Sequence, residues 1–280
     1  MKLTTLLLAL ALLSGPDGRA QNRFEWVLEP TYRFIESYRE DIAVVKSDEG
    51  YGYIDEQGRQ IVAPIYEQAY GFTGGRGRVQ QNRKFGFVDR SGTIVIPVGF
   101  DFAADFYEGM AQVVVDSRWG FIDSLGELKI PAEYESSFQF AAGLAPVRKD
   151  GRWGFVDREG KVVIPFEYDF VTGFELGYAI VRKNGQEFTL NHPLKKAEPV
   201  QPSLEGYGNA GKGSGLPHAY KAQTEFHDGY SAVMTSGKFG FVDRRGELVV
   251  EPQFEYTGPV SNGLAPVKLN GAWGVIRLLK

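Results

Sequence analysis

The chain contains no cysteine. That excludes disulfide cross-links, thiolate metal centres and cysteine nucleophiles. It holds only three histidines in 280 residues, His192, His218 and His227, too few for a histidine-rich metal centre. Basic residues are not in excess. Lys and Arg number 31 against 35 Asp and Glu, a net charge of −4. A nucleic-acid binder would carry a basic footprint, so no nucleic-acid partner is expected. After the first twenty residues no apolar run approaches the about 20 residues that span a bilayer. Neither a G-x-S-x-G elbow nor an HExxH helix motif occurs. The expectation from these absences is a non-catalytic protein with no cofactor and no bound metal.

What is abundant points to β-structure. Glycine contributes 35 residues, proline 14, phenylalanine 20 and tyrosine 14. Aromatics favour strands, and Gly and Pro punctuate them with tight turns. Residues 1–20 read as a signal peptide. Met1-Lys2 is followed by the apolar run Leu6 to Leu13, then by small residues at Gly18 and Ala20. The absence of cysteine after that run excludes a bacterial lipoprotein anchor. The mature domain, residues 21–280, is therefore expected to be exported, periplasmic or secreted.

One unit recurs along that domain. Tyr51-Gly52-Tyr53-Ile54-Asp55, Phe85-Gly86-Phe87-Val88-Asp89, Trp119-Gly120-Phe121-Ile122-Asp123 and Trp153-Gly154-Phe155-Val156-Asp157 start 34 residues apart. A degraded copy opens at Glu187. Phe239-Gly240-Phe241-Val242-Asp243 follows after an insertion, and Trp273-Gly274-Val275-Ile276 closes the series. Each intact motif through Asp243 is followed by Asp-x-x-Gly, then by an apolar run reaching Pro64, Pro97, Pro131, Pro165 or Pro252. A lone aromatic comes next, at Tyr38, Phe72, Phe106, Phe140, Phe174 and Phe226, with Val260 last. A helical reading of this period fails, because each unit places Gly and Pro inside the would-be helix at about 1 and 3 kcal/mol each.

Within one unit, Leu144–Lys149, Trp153–Asp157 and Lys161–Ile164 read as three antiparallel strands. Asp150-Gly151 forms a hairpin turn, Asp157 to Gly160 a second turn, and Pro165 ends the pairing. Phe174 is expected to plug the core. The middle strand is apolar on both faces, so neighbouring sheets must stack, with Gly154 as a socket for a bulky group of the adjacent sheet. The segment Trp26 to Tyr32 resembles the third strand of a unit and is placed to complete the C-terminal sheet. The expected fold is all-β: tandem three-stranded antiparallel meanders forming a propeller-like ring of about seven sheets, in preference to an open solenoid.

At these residues the sequence resembles the WG-repeat family, also called KWG repeats. Arg118-Trp119-Gly120-Phe121-Ile122-Asp123 and Arg152 to Asp157 are close matches, and Lys84-Phe85-Gly86 and Lys238-Phe239-Gly240 carry Phe for Trp. The likeness spans about Tyr32 to Lys280. It implies a bacterial repeat protein that serves binding, and it carries over no catalytic residue.

Candidate sites were weighed against structural roles. The Trp residues, Trp26, Trp119, Trp153 and Trp273, are read as packing rather than as a sugar platform. The repeating Asp residues are read as turn caps rather than calcium ligands, since one carboxylate per unit does not gather six to eight oxygens. The irregular region holds the weak ligand-binding candidates His192, Tyr207, His218 and His227, around a Gly/Pro-rich insertion at residues 195–217. Loops on rigid scaffolds often carry recognition.

The reading is a non-catalytic exported repeat scaffold in the bacterial envelope, binding an envelope or secreted protein. Alternatives are a glycan-binding module and a carboxylate-dependent hydrolase. If residues 1–20 are a signal peptide, intact mass of the exported protein will place its first residue at Gln21. An N-terminus at Met1 would refute that assignment.

Overall fold

A computed structural model describes residues 22–193, 221–222 and 225–279. The proposed signal peptide, the 195–217 insertion, Tyr207 and His218 lie outside the described residues. The described residues form seven small antiparallel sheets. In chain order they span 34–66, 68–100, 102–134, 136–168, 170–191, 221–254 and 256–278. The segment Phe24–Tyr32 pairs antiparallel with Ala272–Leu278 and completes the seventh sheet, as its strand-like pattern predicts. No helix of the described residues is long and apolar enough to cross a membrane.

The fourth sheet shows the unit. Ser136–Ser137, Ala145–Lys149, Arg152–Val156 and Val162–Tyr168 lie side by side in that order. The two-residue strand is one more than the expected three, and it lies in the stretch that leads to the plug. Two residues are below the length at which sequence alternation is visible.

Pro165 does not end the third long strand, which continues to Tyr168. Phe155 pairs with Ile164 and Trp153 with Tyr168, so two steps on the middle strand face four on its neighbour. The extra residues form a bulge, where a strand tolerates Pro. The same shift recurs at Pro64, Pro97, Pro131 and Pro252, and at Pro30 in the completing strand. This bulge corrects the role expected of the motif glycine. A Cβ on Gly120 or Gly154 would sit 2.6 Å from the carbonyl oxygen of Ile130 or Ile164. The socket is therefore filled by the bulged backbone of the same sheet, not by a side chain of the next one.

Between sheets the expected stacking is present. Phe155 faces a cluster shared with the fifth sheet, and Val156 faces one shared with the third. The connector aromatics plug these interfaces. Phe72, Phe106, Phe140 and Phe174 are buried, with ring centroids 5.0–5.1 Å from Tyr53, Phe87, Phe121 and Phe155 of the preceding sheet. Shared clusters run in series from the sixth sheet through the seventh and first to the fifth. Phe226 departs from the pattern and is 40% exposed. Its partner position in the fifth sheet is Thr189, which is also exposed, so both halves of the plug are lost together.

Two sets of carboxylates hold the turns. Asp55, Asp89, Asp123, Asp157 and Asp243 each accept two backbone N–H groups of the following turn. These aspartates are turn caps, engaged one per sheet. A second set had no sequence expectation. Glu67, Asp101, Glu135, Asp169 and Glu255 are the single residues between consecutive sheets, and each accepts an N–H from the next hairpin. At the corresponding position before the first sheet, Arg33 pairs with Asp48, the charges exchanged.

Glu108 reaches further, to the Gly143 N–H at 2.8 Å and Arg158 at 3.2 Å. Burial pushes its carboxyl up, but those donors outweigh burial and hold it below the glutamate range. Asp123 behaves alike, with burial outweighed by the Glu127 and Leu125 N–H groups and Lys129. The Ser91 hydroxyl is the main cause that lowers Asp89.

Gly154→Ala is expected to destabilise by about 1–3 kcal/mol, because backbone must move to admit the methyl. Gly99→Ala, whose Cβ would meet only the Pro97 carbonyl oxygen at 4.0 Å, should be close to neutral. Urea unfolding of both variants checks this; equal losses would remove the bulge argument. The lowered carboxyls also set an acid limit. Their ordinary values are 3.8 for Asp89 and Asp123 and 4.5 for Glu108. The stability they add is complete above those values and is lost as pH falls through the lower folded ones. The thermal midpoint should be flat between about pH 7 and 5 and fall below about pH 4. A midpoint that rises on acidification would contradict the assignment.

Candidate functional site

A cavity of about 680 Å3 opens at the short-strand edges of the third, fourth and fifth sheets. Its floor follows from the repeat. In each unit the residues between the short strand and the plug must turn inward to deliver the aromatic. Phe138, Gln139, Thr172 and Gly173 occupy those positions.

Phe138 is the aromatic platform. It stacks on Trp153 with centroids 5.0 Å apart and planes 7° from parallel. Yet Phe138 is 43% exposed. The ring is engaged by the Trp and also lines the cavity. The polar lining comes from Gln112, Gln139, Thr172, Glu175 and Tyr178. Gln112 is held by a 2.8 Å hydrogen bond from its Nε2 to Ser137 Oγ. The Thr172 hydroxyl donates to the Gly173 carbonyl and accepts the Ile180 N–H, which fixes the loop. Glu175 supplies the one carboxylate of the lining. The arrangement is an apolar ring beside amides and a negative charge, suited to holding a group that is flat, cationic or both.

A second cavity of about 500 Å3 lies between the first and second sheets, lined by Asp41, Asp55, Glu56, Arg59 and Arg90 among others. Its charges answer one another. Arg90 pairs with Asp41, Arg59 with Asp55, and the Asn262 amide bridges Asp41 and Glu56. Among the described residues no group of three His, Asp or Glu side chains is placed to hold a metal ion.

The sequence candidates fall elsewhere. His192 is buried, bonds the Ala142 carbonyl at 3.0 Å through Nε2, and packs edge-on against the Phe174 plug at 4.6 Å. That is a packing role at the fourth–fifth interface. His227 is exposed in a tight turn of the sixth sheet. Three of the four Trp residues, Trp26, Trp119 and Trp153, are half-buried rather than wholly enclosed, with Trp26 packed against Phe24 and Phe254, while Trp273 is buried. No single-sequence signal marked the cavity, because its residues sit on positions that differ from unit to unit.

The sequence matches none of the curated proteins. Solved structures with partial likeness include a eukaryotic initiation factor, with 12% identity, 85% of this chain and 70% of that chain covered, and a TM-score of 0.38. The extracellular domain of the putative hybrid two component system BT3049 of B. thetaiotaomicron aligns at 10% identity over 90% of this chain and 39% of that one, with a TM-score of 0.33. PorZ of Porphyromonas gingivalis, a surface component of its type-IX secretion system, aligns at 8% identity over 90% and 38%, also at 0.33. The family model for the WG containing repeat matches residues 22–50, 51–85, 85–119, 119–153, 153–186 and 239–273. With that match across most of the chain, and an aromatic-Gly pair, Trp-Gly in the third, fourth and seventh sheets, placed against a proline bulge, the chain belongs to the WG-repeat family.

Proposed function

We propose that this protein is a non-catalytic repeat scaffold that binds a protein partner through the cavity at the third, fourth and fifth sheets. One observation carries the reading. The residues that recur with the repeat are engaged in its own packing: motif ring, glycine, capping aspartate, proline and plug. Most of the residues that line the open cavity at the third, fourth and fifth sheets vary between units, and among them are an exposed ring and a carboxylate. The signal-like residues 1–20 support an exported protein working in the envelope or outside it.

A glycan-binding reading draws on the same ring, since the exposed part of Phe138 offers apolar surface to a sugar as well as to a protein side chain. The two readings separate experimentally. Mature protein is used to recover partners from solubilised envelope and culture medium, beside Phe138→Ala and a version lacking residues 195–217. A protein recovered by the intact chain and lost with Phe138→Ala supports the cavity as the site. Recovery that depends only on 195–217 would move the site to the insertion. Turnover of a substrate by the purified protein, with no partner recovered, would overturn the scaffold reading. Tryptophan fluorescence that shifts with an oligosaccharide and not with any protein would replace it by the glycan reading.

A further inference from the structure

A tight turn opens the first long strand in all seven sheets, closed by a two-way backbone pair such as Tyr107 with Met110 or Ser261 with Leu264. Its first central residue is Glu40, Gly74, Glu108, Ala142, Leu176, Asp228 or Asn262. Its second is glycine in every sheet but the first, where Asp41 stands. Where the first residue is an acid, it accepts from the turn of the next sheet. Glu40 takes the Gly74 and Gly75 N–H groups at 2.7 and 2.9 Å, Glu108 that of Gly143 at 2.8 Å, and Asp228 that of Gly263 at 3.3 Å.

At the joint between the seventh and first sheets the polarity is reversed. The turn of the first sheet presents Asp41 where the others have glycine, and Glu56 lies beside it. An acid at position 262 would face both carboxylates. The residue there is instead the one amide of the series. Its Nδ2 donates to Asp41 Oδ1 at 2.8 Å and to Glu56 Oε1 at 2.9 Å, and these two bonds latch the last unit to the first. Asn262 is exposed, sits at φ 51° and is followed by Gly263 at φ 73°. Asn-Gly suits a turn of this kind. It is also a thermolabile pair, because glycine has no side chain to keep its nitrogen from the preceding amide.

We propose that Asn262 is a deamidation site whose conversion opens this latch. The Gly263 nitrogen gives its proton to hydroxide and bonds to Asn262 Cγ. The Cγ–Nδ2 bond breaks, and the amide nitrogen leaves as ammonia after taking a proton from water. Water then opens the cyclic imide to aspartate or isoaspartate. Either product replaces two donated hydrogen bonds by a third carboxylate against Asp41 and Glu56, and only Asp41 has an arginine, Arg90, paired to it. Asn184-Gly185 and Asn270-Gly271 are the same dipeptide in hairpins within a single sheet, so their conversion leaves the joint intact. The inference is independent of the cavity and of the scaffold reading.

Incubation of the mature protein at alkaline pH, followed by peptide mass mapping and isoaspartate labelling with a protein isoaspartyl methyltransferase, tests the site. Asn262 should convert, and the converted molecules should melt at lower temperature. Asn262→Asp should lower the thermal midpoint at neutral pH by at least about 3 °C. It should also speed hydrogen exchange in Ile42–Lys46 and Leu264–Leu269, with Arg152–Val156 left at the parent rate. Adding Glu56→Gln should restore part of the midpoint, and Asn270→Asp should keep the parent value. The incubated parent protein, folded before it converts, keeps the test decisive if Asn262→Asp fails to fold. Asn262 still intact after Asn184 and Asn270 have converted would overturn the site. Conversion at Asn262 with the midpoint and exchange of the parent would overturn the latch.

Discussion

Everything in this chain is arranged around one close approach: a bulged strand lying over a residue that has no side chain. In the fourth sheet the carbonyl of Ile164 occupies the place where a Cβ on Gly154 would be. The bulge lets two middle-strand residues face four on the neighbouring strand, which bends and twists it. The bent strand ends at Tyr168, and after one residue, Asp169, the chain pairs in the next sheet. Glycine thus permits the bulge, the bulge redirects the strand, and the redirected strand delivers the next short strand and its plug. In the fifth sheet the glycine position is held by Phe188, which is 44% exposed.

The plugs convert that local geometry into a series of cores. A single sheet is apolar on both faces and cannot stand alone in water. Phe140 against Phe121 and Phe174 against Phe155 close successive gaps at the same 5.0 Å centroid separation. The seventh sheet takes its last strand from the other end of the chain, with Glu25 paired to Arg277 along that seam. The first and last units are thereby tied, and the cluster holding Tyr38, Trp273 and Val275 sits directly behind the join.

The period, the stacking and the completing N-terminal strand were legible in the sequence because each depends on residues that recur at fixed spacing. The bulge was not. Proline reads as an end to pairing when a strand is considered alone, and only the glycine opposite shows why pairing resumes. The two-residue strands were too short to show alternation. The linking carboxylates Glu67, Asp101, Glu135, Asp169 and Glu255 recur in most units, but an acid on a polar stretch has no distinguishing pattern until its hairpin N–H partner is known. Phe226 kept its place in the sequence rhythm and lost its burial, because its partner position had become Thr189. Sequence rhythm reports one half of a contact at a time.

The cavity illustrates the same limit from the functional side. It lies beside the small residues Ala141 and Gly173, and a missing side chain carries no motif. Comparing units in space makes it readable. One inter-sheet space is occupied by Arg78 and Asp105, the next by Gln112 bonded to Ser137, and the one after that is open beside Phe138. A frame that needed this space filled for stability would not leave it open at 43% exposure of a phenylalanine ring. Exposing that ring costs hydrophobic burial of about 25 cal/mol per Å2, a loss that an incoming side chain can recover on binding. A repeat fold of this kind therefore separates its two tasks by position: recurring residues hold the sheets, and departures from recurrence make the surface that can recognise.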